Sequence, residues 1–149
     1  MRKENSMFIP KLVVKKSYKV SQEVLFKAWT STESMSQWLN PMPGGHSNVT
    51  ADVEAGGSYK IDMVAPDGEV FPHWGEYIEV SPYNKIVFTW NSPFVNDTLV
   101  TVEFNKLTEG SELVLTHEFL KDEKVFKEHN NGWEAIFDSL ETNLSTEVV

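Results

Sequence analysis

DEKVFKEHNNGWEAIFDSLETNL, residues 122–144, decides how this chain folds. Its apolar side chains fall at Val125, Phe126, Trp133, Ile136, Phe137, Leu140 and Leu144. That three-and-four spacing lines one face of an α-helix, and Lys127, Glu128, Glu134, Asp138 and Glu141 take the other. The stretch predicts a helix laid on an apolar surface, with Lys121-Asp122 supplying its N-cap and no proline inside it. Gly132 costs such a helix about 1 kcal/mol against alanine. It is expected either to let the helix pass close over a strand or a cavity mouth, or to mark a kink. Burying Trp133, Ile136, Phe137, Leu140 and Leu144 at roughly 1.5 to 3 kcal/mol each gives an upper bound of about 8 to 15 kcal/mol. That matches the net stability of a whole domain. Whatever this helix covers is the centre of the protein.

Upstream, from His46 to Phe119, the apolar period changes from helical to two. Strands are expected over 47–54, 57–65, 70–80, 84–91, 98–106 and 111–119. Turn chemistry separates them at Gly56-Gly57, Pro66-Asp67-Gly68, Ser81-Pro82-Tyr83-Asn84 and Thr108-Glu109-Gly110. Alternation puts Tyr59, Ile61 and Met63 on one face, then Val100, Val102 and Phe104, then Leu113, Leu115, His117 and Phe119. The strand over 70–80 admits two registers. Either Trp74, Ile78 and Val80 face inward and carry Glu76 with them, or a bulge near Gly75 reverses part of that assignment. Nearer the start, Lys11 to Tyr18 is rich in β-formers and predicts a first strand. Ser21 caps a short helix through Trp29, and Ser31 caps a second that carries Met35, Trp38 and Leu39 inward. Asn40-Pro41-Met42-Pro43-Gly44-Gly45 stops it. Residues 1–10 are expected to form a flexible leader and residues 11–149 a single domain of α+β class.

Composition narrows the partners. The chain has 149 residues, a formal charge of −9 and no cysteine. Such a charge repels phosphate backbones and anionic lipid, so neither nucleic acid nor membrane is expected as a partner. Without cysteine there is no disulfide, thiol nucleophile or thiolate metal site. No signal-peptide core and no membrane-spanning run occurs, which makes a cytoplasmic location the expectation. His46, His73, His117 and His129 lack the spacing of a zinc motif, and neither a phosphate-cradling loop nor a nucleophile elbow is present. No metal or cofactor is expected.

Several runs taken in order resemble one family. KLVVKKSYKVSQEVLFKAWTSTESMSQWLNP, ADVEAGGSYKIDMVAPDGEVFPHWGEYIEVSPYNKIVFTW, VTVEF, ELVLTHEF and HNNGWEAIFDSLETNL are similar to bacterial homologues of the activator of heat-shock-protein-90 ATPase. These belong to the START/Bet v 1-like (SRPBCC) superfamily. The likeness runs over about residues 12–144. GG-S-Y, PDG and GW are weak motifs singly and strong in sequence. The resemblance implies a helix-grip fold: a curved seven-stranded antiparallel sheet wrapped around the C-terminal helix, two short helices after strand one, and a cavity between sheet and helix. It implies less about activity, because superfamily members carry lipids, sequester small apolar compounds, close polyketide rings or assist chaperones on one scaffold. The chain departs from the family pattern at Lys16, often arginine, and Ser21, often proline.

Within that frame the expected ligand-binding residues are Trp38, Tyr59, Met63, Trp74, Glu76, Trp90, His117, Trp133 and Phe137. Large rings are the usual material of a core, so each aromatic is weighed against plain packing. As a group on opposed sheet and helix faces, some should border a cavity that takes a small apolar or aromatic molecule. His117 stands in an apolar alternation and faces inward either as a satisfied core group or as a proton acceptor. Glu76, if inward, is its natural partner, and the two together would permit weak cyclase- or hydrolase-like acid–base chemistry. The alternative to ligand binding is a chaperone- or stress-related protein partner met through acidic surface. Edge strands permit a homodimer as readily as a monomer.

Overall fold

The period-two segments assemble into one seven-stranded antiparallel sheet in the computed structural model of the protein, which describes residues 11–147. The leader expected over residues 1–10 lies outside the described residues. In chain order the elements are β1 (Lys11–Tyr18), α1 (Gln22–Thr30), α2 (Thr32–Trp38), β2 (His46–Ala51), β3 (Ser58–Val64), β4 (Val70–Ser81), β5 (Lys85–Trp90), β6 (Thr98–Lys106), β7 (Ser111–Glu118) and α3 (Glu123–Glu147). The sheet order is β1-β7-β6-β5-β4-β3-β2, a meander from β2 to β7 closed by β1 returning beside β7. This is the helix-grip arrangement, with the curved sheet wrapped on α3.

Local chemistry sets the helix ends. Ser21 Oγ accepts from Val24 N at 3.2 Å, Ser31 Oγ from Ser34 N at 3.2 Å, and Asp122 Oδ1 from Val125 N at 2.9 Å. Asn40 stops α2 and then holds the loop that follows. Its amide nitrogen donates to His46 O and Val64 O, and its Oδ1 accepts from Met42 N at 2.7 Å. On β1, Lys16 reaches Asp138 at 3.4 Å and Glu141 at 3.3 Å, tying the strand to the solvent side of α3.

The inner faces are those alternation predicts for β3, β6 and β7 as far as His117: Tyr59, Ile61, Met63, Val100, Val102, Phe104, Leu113, Leu115 and His117 are all buried. From α3 they meet Trp133, Ile136, Phe137, Leu140 and Leu144, also buried. Phe119 is a correction. β7 ends at Glu118, Phe119 has φ +71° and is 63% exposed, and Leu120 takes the interior place instead.

β4 corrects a second expectation. Trp74 is 43% exposed and Ile78 54%, and Glu76 is also exposed, so this apolar row lies on the outer face. The inner row is His73, Gly75 and Tyr77, with Tyr77 paired to Phe88 of β5. Between Tyr77 and Glu79 the register slips, so that Val80 pairs with the buried Ile86. The bulge therefore sits beyond Gly75, at Ile78. Gly75 instead permits a close approach, since a Cβ there would collide with Thr89 O and lie 2.8 Å from Tyr59 Cε2. The Tyr59 ring crosses this glycine to donate its hydroxyl to Thr89 O at 2.6 Å.

Candidate functional site

Between the sheet and the N-terminal half of α3 lies a cavity of about 440 Å³. Such a volume falls in the range of about 300–1,000 Å³ typical of small-molecule sites. One wall is α3, through Val125, Glu128, His129, Gly132, Trp133 and Ile136. The opposite wall is Met63 of β3, Phe71, Pro72 and His73 of β4, and Trp90 at the end of β5. Its rim comes from the loop that Asn40 holds, Pro41 and Met42, and from Ser92, Pro93 and Phe94 after β5. Phe94 is 68% exposed at this rim, and Glu69 and Glu128 bring carboxylates to it. No methyl group stands on Gly132, and a Cβ built there would meet nothing within 4 Å. The glycine keeps this part of the helix wall low.

Two histidines supply nitrogen to the lining. His73 Nδ1 lies 3.0 Å from Phe71 O, and His129 Nδ1 lies 2.9 Å from Val125 O. A carbonyl only accepts, so each Nδ1 carries the proton and each neutral ring keeps its lone pair on Nε2. Burial pushes the His73 pKa down to about 4, and His129 is lowered for the same reason. The His73 ring lies 4.7 Å from Trp90, whose ring is 5.0 Å from Trp133, giving a continuous aromatic wall.

Behind that wall His117 is fully committed. Trp133 Nε1–H donates to His117 Nδ1 at 3.0 Å, so His117 carries its proton on Nε2. Nε2 is 2.8 Å from Thr98 Oγ1, whose own proton goes to Trp90 O at 2.6 Å. The chain of donors thus runs Trp133, His117, Thr98, Trp90 carbonyl, with every group satisfied. Desolvation pushes the His117 pKa down to about 3, the neighbouring His129 adding to it.

Of the residues expected at the site, the structure brings Met63, Trp90 and Trp133 to the cavity. Trp38 and Phe137 are packed in the core without reaching it, Trp38 with its ring 4.8 Å from Trp29. Tyr59 borders only a void of about 20 Å³ deeper in the core, and His117 sits behind Trp133. Trp74 and Glu76 face solvent on the outside of β4. Glu76 and His117 therefore do not assemble into an acid–base pair. Helical spacing back from Trp133 points to His129 and Val125, four and eight residues earlier, and forward to Ile136. Phe71 and His73 depend on the register of β4. The loop residues carry no periodic signal.

Comparison with known proteins agrees with this fold. A family model described as Activator of Hsp90 ATPase homolog 1-like protein matches residues 19–145. Among curated proteins none matches. Similar solved structures include a protein of Chromobacterium violaceum, 22% identical with a TM-score of 0.82 over 89% of this chain and 95% of that one. Another is an AHSA1-like protein from Aeromonas hydrophila, 19% identical, TM-score 0.82, over 92% and 93%. A Staphylococcus aureus protein of unknown function is 23% identical, TM-score 0.77, over 93% and 94%. At these identities the structures speak for the fold alone.

Proposed function

Because the chain belongs to the Activator of Hsp90 ATPase homolog 1-like protein family, in which a sheet grips a terminal helix, we propose that it holds one small apolar or aromatic molecule between that sheet and α3. The observation that carries the proposal is the 440 Å³ cavity walled by Met63, Phe71, Trp90, Trp133 and Ile136. Apolar walls bind through area removed from water, and the aromatic pair favours a flat guest. Trp90 and Trp133 also report on the site. Titration with an apolar naphthalene probe should quench tryptophan emission saturably; a folded protein whose emission stays unchanged up to the probe's solubility limit overturns the proposal. The described residues contain no helix long and apolar enough to cross a membrane.

The family's description suggests a second role, contact with a chaperone ATPase. What supports it is the outer face of β4, where Trp74 and Ile78 leave apolar surface in solvent beside Glu76. Replacing Trp74 and Ile78 by serine should then abolish stimulation of a chaperone ATPase. Stimulation that survives the replacement removes this role from that face.

A further inference from the structure

We propose that the cavity selects an uncharged guest bearing a hydrogen-bond-donating hydroxyl on a flat apolar body; this rests on the binding role above and names its ligand class. The selectivity follows from what each wall offers. His73 on β4 and His129 on α3 bring one nitrogen each from opposite sides of the same space. Both spend Nδ1–H on a backbone carbonyl, so what remains for a guest is the Nε2 lone pair. Both rings resist protonation because of burial, which keeps them acceptors at neutral pH. A guest with no donor leaves these acceptors unpaired once water is expelled, and that loss discriminates against it.

Charge acts in the same direction. Glu69 and Glu128 are exposed at the rim, and among the described residues no lysine or arginine lines the cavity. A carboxylate guest would pass two like charges and meet two lone pairs. An ammonium would find the rim favourable but would lose its hydration among Met63, Phe71, Trp90 and Trp133. Ser92 Oγ accepts from Phe94 N at 3.1 Å and keeps its own proton for a guest oxygen. A hydroxyl, which donates and accepts, answers both kinds of group.

The test compares naphthalene, 2-naphthol, 2-naphthoate and 2-naphthylmethylammonium at pH 7 by protein NMR titration. 2-Naphthol should bind several-fold to about tenfold more tightly than naphthalene, the range expected of one net hydrogen bond. The naphthoate should bind more weakly than 2-naphthol. In a His73→Phe/His129→Leu double variant, shown to be folded by its dispersed NMR spectrum, the ratio of 2-naphthol to naphthalene affinity should fall to about one, whatever the two absolute affinities become. Equal affinity for naphthalene and 2-naphthol, or tightest binding of either ion, overturns the hydroxyl preference and leaves the binding role standing. Absence of binding by all four overturns both.

Discussion

The indole N–H of Trp133, on α3, donates to Nδ1 of His117, on β7, across 3.0 Å in the buried interior. This bond joins the helix to the sheet behind the cavity and orients the ring that forms the cavity's back wall. It also explains why an inward histidine can occur in the run Leu113-Leu115-His117: both nitrogens have partners, so no polar atom is left stranded. His117→Ala should destabilise the protein by about 2–4 kcal/mol, combining a void with an unpaired indole N–H. In a double-mutant cycle with Trp133→Phe, urea denaturation should give a coupling of about 0.5–3 kcal/mol. A coupling of zero would mean the bond contributes nothing beyond packing.

The three inward histidines make the fold acid-sensitive. In the folded chain His117 is depressed to about 3, His73 to about 4, and His129 is lowered as well, whereas the unfolded chain titrates near 6.5. Below that unfolded value the unfolded state binds more protons than the folded one, so stability falls as pH falls. It is fully present above about pH 6.5 and declines toward pH 4, by up to about 1.4 kcal/mol per pH unit for each histidine that stays neutral. The rings face Trp90, Thr98 and Trp133, none of which titrates in this window, and one another, with the His117 and His129 ring centres 5.1 Å apart; Asp62 near His73 and exposed Glu128 near His129 oppose the lowering, and burial outweighs both. Denaturation at pH 7 and pH 5 should show the loss, and His117→Gln should reduce its slope. A pH-independent midpoint over that span refutes the assignment.

Gly75 offers a test of the sheet's closest approach. Thr89 O stands where a Cβ would need to be, and the Tyr59 ring covers the remaining side. Backbone cannot yield as a flexible side chain does, so Gly75→Ala should force β4 away from β5 and break the Tyr59–Thr89 bond. A loss of about 2–4 kcal/mol is expected, typical of overpacking combined with a lost, partly buried hydrogen bond. Thermal denaturation measures it, and an unchanged midpoint would show that β4 has slack at this point.

The helix and most of the sheet are legible in the sequence because their residues obey one period each. Val125, Trp133, Ile136, Leu140 and Leu144 repeat at helical spacing, and Val100, Val102 and Phe104 at strand spacing. β4 resists because its alternation is real and its sense is inverted: the more apolar row, Trp74 and Ile78, faces water, while His73 and Gly75 face in. A one-residue choice there moves every side chain to the other face, which is why the pattern points to Trp74 and Glu76 as site residues and passes over His73. Trp38 and Phe137 show the other limit. Hydrophobicity says that a ring is inside, but whether it borders packed atoms or empty space depends on how closely α3 approaches the sheet at that turn. His129 and Gly132, on the turns beside Trp133, lie where that approach is loosest.

Gly132 makes the emptiness of that turn testable without disturbing the core. It lies inside α3, has no positive φ, and has open space where a side chain would project. Gly132→Ala should therefore stabilise the protein, by about 0.8–1 kcal/mol from helix propensity alone, because no neighbour must move. Gly132→Leu should also fold, and its side chain would occupy the cavity between Trp133 and His129. An apolar naphthalene probe should then lose at least about tenfold in affinity, since it must displace or share space with the leucine. The pair separates two meanings of this glycine. If alanine destabilises, the helix is held against something solid at this turn and the space is not available to a guest. If leucine folds normally and the probe binds as before, the guest sits elsewhere, and the volume beneath Trp133 is a packing void rather than a binding site.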